Sequence, residues 1–211
     1  MTKIDPYYYL DAPKNFFAEN VDINDFKKND RGIFQVEYRH ISKEVREWFQ
    51  AIGVTNIRGL IFRKNLIPRT NLHVDPNISG EEWVELCPKF VDKTVDYRPY
   101  VNQFAINWIY QQRGKTEWYE AVEGPDDIGT SPINTGWFAW TSYNNVRGPI
   151  ATCYHTDNPV LYNTSIPHVP VDSIDKITVS IRPELNNNPN LTYKEVFKYF
   201  NKMGIIKQHS S

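Results

Sequence analysis

The chain has 211 residues, and its 24 Lys and Arg against 25 Asp and Glu leave a formal charge of −1, which excludes the strongly basic surface of a dedicated nucleic-acid binder. A chain of this length buries roughly 70% of the surface its unfolded form exposes, so it needs no staples, and the two cysteines, Cys87 and Cys153, exclude a disulfide scaffold. Hydrophobic residues at 40% and aromatics at 14% exclude disorder and coiled coil and favour β structure, where rings pack well.

The first residues, MTKIDPYYYLDAPKN, lack the apolar stretch of a signal peptide, and a reducing, cytoplasmic setting is expected. Residues 1–30 are polar and irregular, with Tyr7, Tyr8, Tyr9, Phe16 and Phe17 available to pin them to the body as an N-terminal arm. Ser42 is placed to cap a helix carrying Val45, Trp48, Phe49 and Ile52 on one face, with Gly53 to stop it. From about Val54 to Arg182 the chain breaks into short β-prone pieces: Ile57 to Phe62, Thr70 to Val74, Gln103 to Tyr110, Glu117 to Ala121, Trp137 to Ser142, Ala151 to His155, Val160 to Asn163 and Ile174 to Arg182. Strands at this spacing suggest a sandwich or jelly roll. The segment GPDDIGTSPINTG, Gly124 to Gly136, reads as a long loop over one end, a candidate lid. A second helix is expected after Thr192, with Val196, Phe197 and Phe200 on one face before Gly204. No run reaches the 18 apolar residues of a membrane span, and no repeat or linker divides the chain, so one domain over 1–211 with its core at about 54–185 is the economical reading.

Five histidines are present, so an imidazole site draws on a short list. His73 and Asp75, two residues apart on a strand, point to one face and can ligate one ion while Val74 packs on the other. A third ligand should come from a different strand, and His168 is the candidate. Two His and one carboxylate on one octahedral face hold Fe(II) with open positions for O₂ and a chelating cosubstrate. His155 and Asp157 repeat the spacing, but Asp157 opens an Asp-Asn-Pro turn sequence, and His155 reads as a surface or strand-end residue.

The stretches IFRKNLIPRTNLHVD, FAINWIY followed by TEWYE, and PVLYNTSIPHVPVDSIDKITVSIRPE resemble the Fe(II)- and 2-oxoglutarate-dependent oxygenases over Ile61 to Pro183, particularly small single-domain members. The resemblance implies a mainly β fold, the double-stranded β-helix or jelly roll, here with flanking N- and C-terminal helices. It implies Fe(II) held by His73, Asp75 and His168, and oxidation of a C–H bond of a small molecule or peptide by O₂ with conversion of 2-oxoglutarate to succinate and CO₂. The charge balance and the short apolar runs, rather than the resemblance, argue against a nucleic-acid or membrane partner. In that family a basic residue after the distal His binds the far carboxylate of 2-oxoglutarate, usually an Arg followed two residues later by Ser or Thr. Lys176 with Thr178 occupies that place here, and Arg182 follows on the same face of the strand, about 20 Å further at ~3.3 Å per residue. Lys176 with Thr178 is preferred, and a longer preceding loop would restore Arg182. As a point charge, Lys176 lacks the bidentate grip of Arg. The bland alternative makes it a solvated hairpin charge.

Four cations (Arg58, Arg63, Lys64 and Arg69) precede the His-x-Asp triplet with no acid among them. They either line the mouth of a site and favour an anionic substrate, or sit on the outer face of a sheet. Asn107 and Asn163 lie within apolar strands and need partners if buried. Trp108, Trp118, Trp137 and Trp140 are expected in the core. Two further functions fit less of the pattern: a cupin-like metal enzyme without 2-oxoglutarate, which leaves Lys176 and Thr178 purposeless, and a non-enzymatic β-sandwich binding module, which makes the histidines incidental.

Overall fold

A computed structural model describes residues 4–27, 33–63, 72–74, 103–110, 114–124, 127–133, 136–171, 176–188 and 190–207, and among them the fold is mainly β, with two antiparallel six-stranded sheets. In spatial order the first sheet holds β1 (Tyr7–Tyr9), β10 (Val160–Asn163), β5 (Phe104–Tyr110), β12 (Ile177–Leu185), β3 (Val54–Arg63) and β2 (Ile33–Gln35). The second holds β7 (Asp127–Ile133), β8 (Gly136–Ser142), β4 (His73–Val74), β11 (His168–Val171), β6 (Lys115–Ala121) and β9 (Val146–Tyr154). Along the chain, β3 to β6 alternate between the sheets, and β9 to β12 alternate again.

The outer face of the first sheet carries Ile106, Trp108, Ile177, Val179 and Ile181, which join one buried cluster with the helices α1 (Lys43–Ala51) and α2 (Tyr193–Lys202) and with Phe16 and Phe17 of the arm. Each helix starts where the sequence places a cap. The Ser42 side chain accepts from the Val45 amide and the Thr192 side chain from the Glu195 amide, satisfying donors that have no partner inside a first turn. Gly53 ends α1 with φ at +73°, a conformation that glycine adopts without a Cβ penalty. The other face of the same sheet looks toward the second sheet: Ile109, Val160 and Tyr162 pack with Trp118 of β6 and Cys153 of β9. No helix among the described residues is long and apolar enough to cross a membrane.

Several expected boundaries shift. The arm is pinned as expected by buried Phe16 and Phe17, but it also contributes an edge strand, pairing Tyr7 with Tyr162. The final strand starts at Ile177, not Ile174. The Gly124 to Gly136 segment is not a long loop: β7 pairs with β8 from Asp127 opposite Ser142 to Ile133 opposite Gly136. Its Pro132 is tolerated because β7 is an edge strand, where a missing amide donor costs no ladder bond.

Candidate functional site

Directly opposed residues on antiparallel neighbours share a face. His168 on β11 lies opposite His73 on β4 and opposite Trp118 on β6. Because Trp118 is fully buried between the sheets, both imidazoles face the intersheet space, with ring centroids 4.6 Å apart. His168 is buried, and its Nδ1 lies 2.9 Å from the Ile166 carbonyl. A carbonyl can only accept, so Nδ1 carries the proton and Nε2 presents its lone pair, the tautomer that a metal needs. The Trp118 ring lies nearly parallel to His168 at 6.2 Å and is itself fixed by donating from Nε1 to the Asn163 carbonyl at 2.9 Å. The strand pairing thus brings His73 and His168 together as expected. Asp75, the carboxylate expected with them, lies outside the described residues; among those residues no third His, Cys, Asp or Glu completes a group of three.

Two residues along β6 from Trp118, on the same face, a second cluster forms. Tyr162 Oη donates to Thr116 Oγ1 at 3.1 Å, and Thr116 Oγ1 lies 3.0 Å from His155 Nε2. Lys176 Nζ lies 3.4 Å from the same His155 nitrogen. The Lys176 amine can donate to Nε2 and the Thr116 hydroxyl can donate or accept, so Tyr162, Thr116, His155 and Lys176 form one connected polar network. Burial raises the Tyr162 hydroxyl well above its ordinary range, with Cys153 beside it adding to the rise. Burial also pushes the Cys153 thiol up to about 11, against smaller opposing contributions from Tyr9, Tyr162 and Lys176. Both groups are therefore neutral at physiological pH.

Lys176 is 6% exposed, so the alternative of a solvated hairpin charge falls away: it lies just before β12, two residues from Thr178, and continues that strand's inward-facing row. One expectation is corrected in part: His155 does follow directly on the end of β9, but it is 6% exposed and not a surface residue. The turn after it is real, but His155 precedes that turn, and its side chain follows Cys153 inward while Tyr154 between them is exposed. That two-residue alternation with Cys153 is the signal in the sequence that points to it. Thr178, Ser180 and Arg182 continue the inward row from Lys176, opposite Ile109 and Asn107 of β5 and Arg58 of β3. Asn163 satisfies local groups, accepting from the Ser165 amide and hydroxyl. Trp108 and Trp118 are core, while the side chains of Trp137 and Trp140, and Lys64 and Arg69, lie outside the described residues.

Comparison of the chain with protein-family models, curated proteins and solved structures finds no match.

Proposed function

We propose that this protein is an Fe(II)- and 2-oxoglutarate-dependent oxygenase built on a double-stranded β-helix. The observation that carries the reading is the apposition of His73 and His168 on the inner face, with the His168 tautomer set for ligation. Two imidazoles at one point of a sheet, with a carboxylate two residues after one of them in sequence, form the donor set for Fe(II) with vacant positions. The alternation of β3 to β6 and of β9 to β12 between sheets supports the jelly-roll path.

When bound, Fe(II) with 2-oxoglutarate and O₂ supplies the oxidising power for C–H hydroxylation, with release of succinate and CO₂. The chain's own residues do the rest. His73, His168 and Asp75 would hold the metal. Trp118 closes one side of His168 and excludes water, and the Ile166 carbonyl keeps the imidazole in its ligating form. Lys176 would take the far carboxylate of the cosubstrate, with the hydroxyls of Thr116 and Thr178 sharing it, and Tyr162 orients Thr116. The Thr116 level lies one strand repeat, about 7 Å, from the Trp118 and His168 level, a span that a five-carbon diacid bridges. Lys176 is preferred over Arg182 because it lies in the enclosed polar cluster.

Anaerobic addition of Fe(II) and then 2-oxoglutarate tests the reading. A weak visible charge-transfer band should form, and His73→Ala should abolish it. Lys176→Met should weaken 2-oxoglutarate binding about 10- to 100-fold while leaving Fe(II) binding intact. Iron binding without the band would move the protein to a cupin-like metal enzyme, and absence of iron binding to a sandwich binding module.

A further inference from the structure

The middle of the first sheet's inner face carries a polar pair that the proposed iron and cosubstrate do not use. Ser180 of β12 lies directly opposite Asn107 of β5, with Leu60 of β3 beyond Ser180 and Val160 of β10 beyond Asn107. Ile109, two residues along β5 and on the same face as Asn107, packs with Trp118 and Cys153 of the second sheet, so this row looks into the space between the sheets. Asn107 is 6% exposed and Ser180 4%. The Asn107 Oδ1 has no hydrogen-bond partner among the described residues. Burying an amide oxygen unpaired costs its desolvation, and a ligand N–H would restore the lost bond. Ser180 supplies the complementary group. Its oxygen lies 3.5 Å from Arg182 Nη1, and because a guanidinium can only donate, the hydroxyl accepts there and keeps its own proton to give. An acceptor and a donor therefore stand side by side, on residues whose Cβ atoms lie about 5 Å apart. Ser180 is four residues from Lys176, about 13 Å along the strand at ~3.3 Å per residue, farther than a five-carbon diacid anchored at Lys176 extends.

We infer that Asn107 and Ser180 form a substrate subsite for a small molecule presenting an amide N–H and its carbonyl on one edge: the N–H donates to Asn107 Oδ1, and the carbonyl accepts from Ser180 Oγ. An open-chain secondary amide is trans, so its N–H and C=O point to opposite sides and cannot both meet two neighbours on one sheet face. A primary carboxamide, or a ring amide held cis, presents both together. A carboxylate could accept from Ser180 but offers Asn107 Oδ1 no proton, and an ammonium could donate to Oδ1 but offers Ser180 no acceptor. Leu60 and Val160 flank the pair with apolar surface, which suits a neutral, planar group. Naming this ligand as the substrate rests on the oxygenase reading; the amide subsite itself does not.

Calorimetric titration of the metal-free protein with two sets of probes tests it. One set holds open-chain primary carboxamides: asparagine, glutamine and their N-acetyl derivatives. The other holds ring amides: uracil and hydantoin. At least one probe should bind, and the set it belongs to identifies the source of the amide edge. Its fully N-methylated counterpart, which loses the N–H and keeps the carbonyl, should bind at least about tenfold more weakly. Asn107→Leu and Ser180→Ala, each checked for an unchanged fold by circular dichroism, should weaken binding by a similar factor. Asn107→Leu should also leave the denaturant midpoint of the ligand-free protein unchanged or raised, because it removes a buried oxygen that has no partner. A midpoint lowered with binding retained would make Asn107 structural and overturn the inference. Failure of both sets to bind overturns it too, as does binding indifferent to Asn107→Leu. Should a probe bind while the charge-transfer band never forms, the oxygenase reading falls and the amide subsite stands; a band without binding of either set does the reverse.

Discussion

The two faces of β12 differ as sharply as two regions of one strand can. Outward, Ile177, Val179 and Ile181 are fully buried against α1 and α2. Inward, the alternate positions are Lys176, Thr178, Ser180 and Arg182. The outer face gathers nearly all the large apolar side chains among the described residues, whereas the apolar cluster between the sheets comprises Ile109, Trp118, Cys153, Val160 and Tyr162 with a few partly buried neighbours. A sandwich that served stability alone would make its intersheet layer the apolar one, since both sheets bury it. This protein places much of its stabilising burial on the helix-covered side and leaves the intersheet layer mixed, with Thr116, His155, His168 and Lys176 buried beside its smaller apolar cluster.

Truncation on each face breaks that comparison most directly. Trp108 is 1% exposed and packs against Phe16, Trp48 and Phe49; Trp108→Ala should cost about 3–5 kcal/mol, read as a lowered denaturant midpoint. Lys176→Met on the inner face keeps most of the volume and removes the contact with His155, and should cost only about 1 kcal/mol in the metal-free protein. Equal losses from the two variants would mean that the intersheet layer is structural core.

The intersheet layer also has a pH signature. The Cys153 thiol, ordinarily at 9.0, is pushed up to about 11 by burial. A group that is neutral when folded and ionises more readily when unfolded binds fewer protons in the unfolded state between those two values, so stability falls there as pH rises. Below pH 9 its contribution is constant. From about pH 9 to 11 it should decline by about 3 kcal/mol, and Tyr162 and Tyr9, both raised mainly by burial, act in the same direction. Denaturation series of wild type and Cys153→Ala over this range measure the thiol's part as the difference between their slopes. The native thiol should also resist alkylation at pH 8 and react once the protein is unfolded.

Much of the division between faces is legible in the sequence, because alternation in Ile177 to Arg182 is a local pattern and β12 obeys it. The pairing of His73 with His168 is legible for a different reason: metal chemistry restricts which residue types must meet, and five histidines leave few combinations. What escapes a sequence reading is set by register and pairing partners. His155 looks superficial because a turn follows it, and nothing in its own neighbourhood states that β9 runs beside β6 and aims it at Thr116. The β7–β8 hairpin escapes because Gly and Pro read as loop punctuation, and an edge strand tolerates both. Arg58 is one of four cations with two equally good faces to occupy, until its position opposite Arg182 chooses one.

The smallest expected effect tests whether the outer face can be loosened without touching the inner one. Thr192 caps α2 by a reciprocal arrangement: its side chain accepts from the Glu195 amide at 3.3 Å, and the Glu195 carboxylate accepts from the Thr192 amide at 2.8 Å. Those bonds fix the first turn of a helix whose Val196 and Phe200 are wholly buried against the first sheet. Thr192→Ala should cost about 1 kcal/mol, read as a lower denaturant midpoint at unchanged slope. Thr192→Ser, which keeps the hydroxyl, should recover most of it. If the proposed function holds, Fe(II) affinity should be the same in all three proteins, because the capped turn belongs to the outer layer and His73 and His168 belong to the opposite sheet. A cap variant that weakened metal binding would show that the two faces of the first sheet are mechanically coupled, and that the helix layer sets the spacing of the site as well as the stability of the fold.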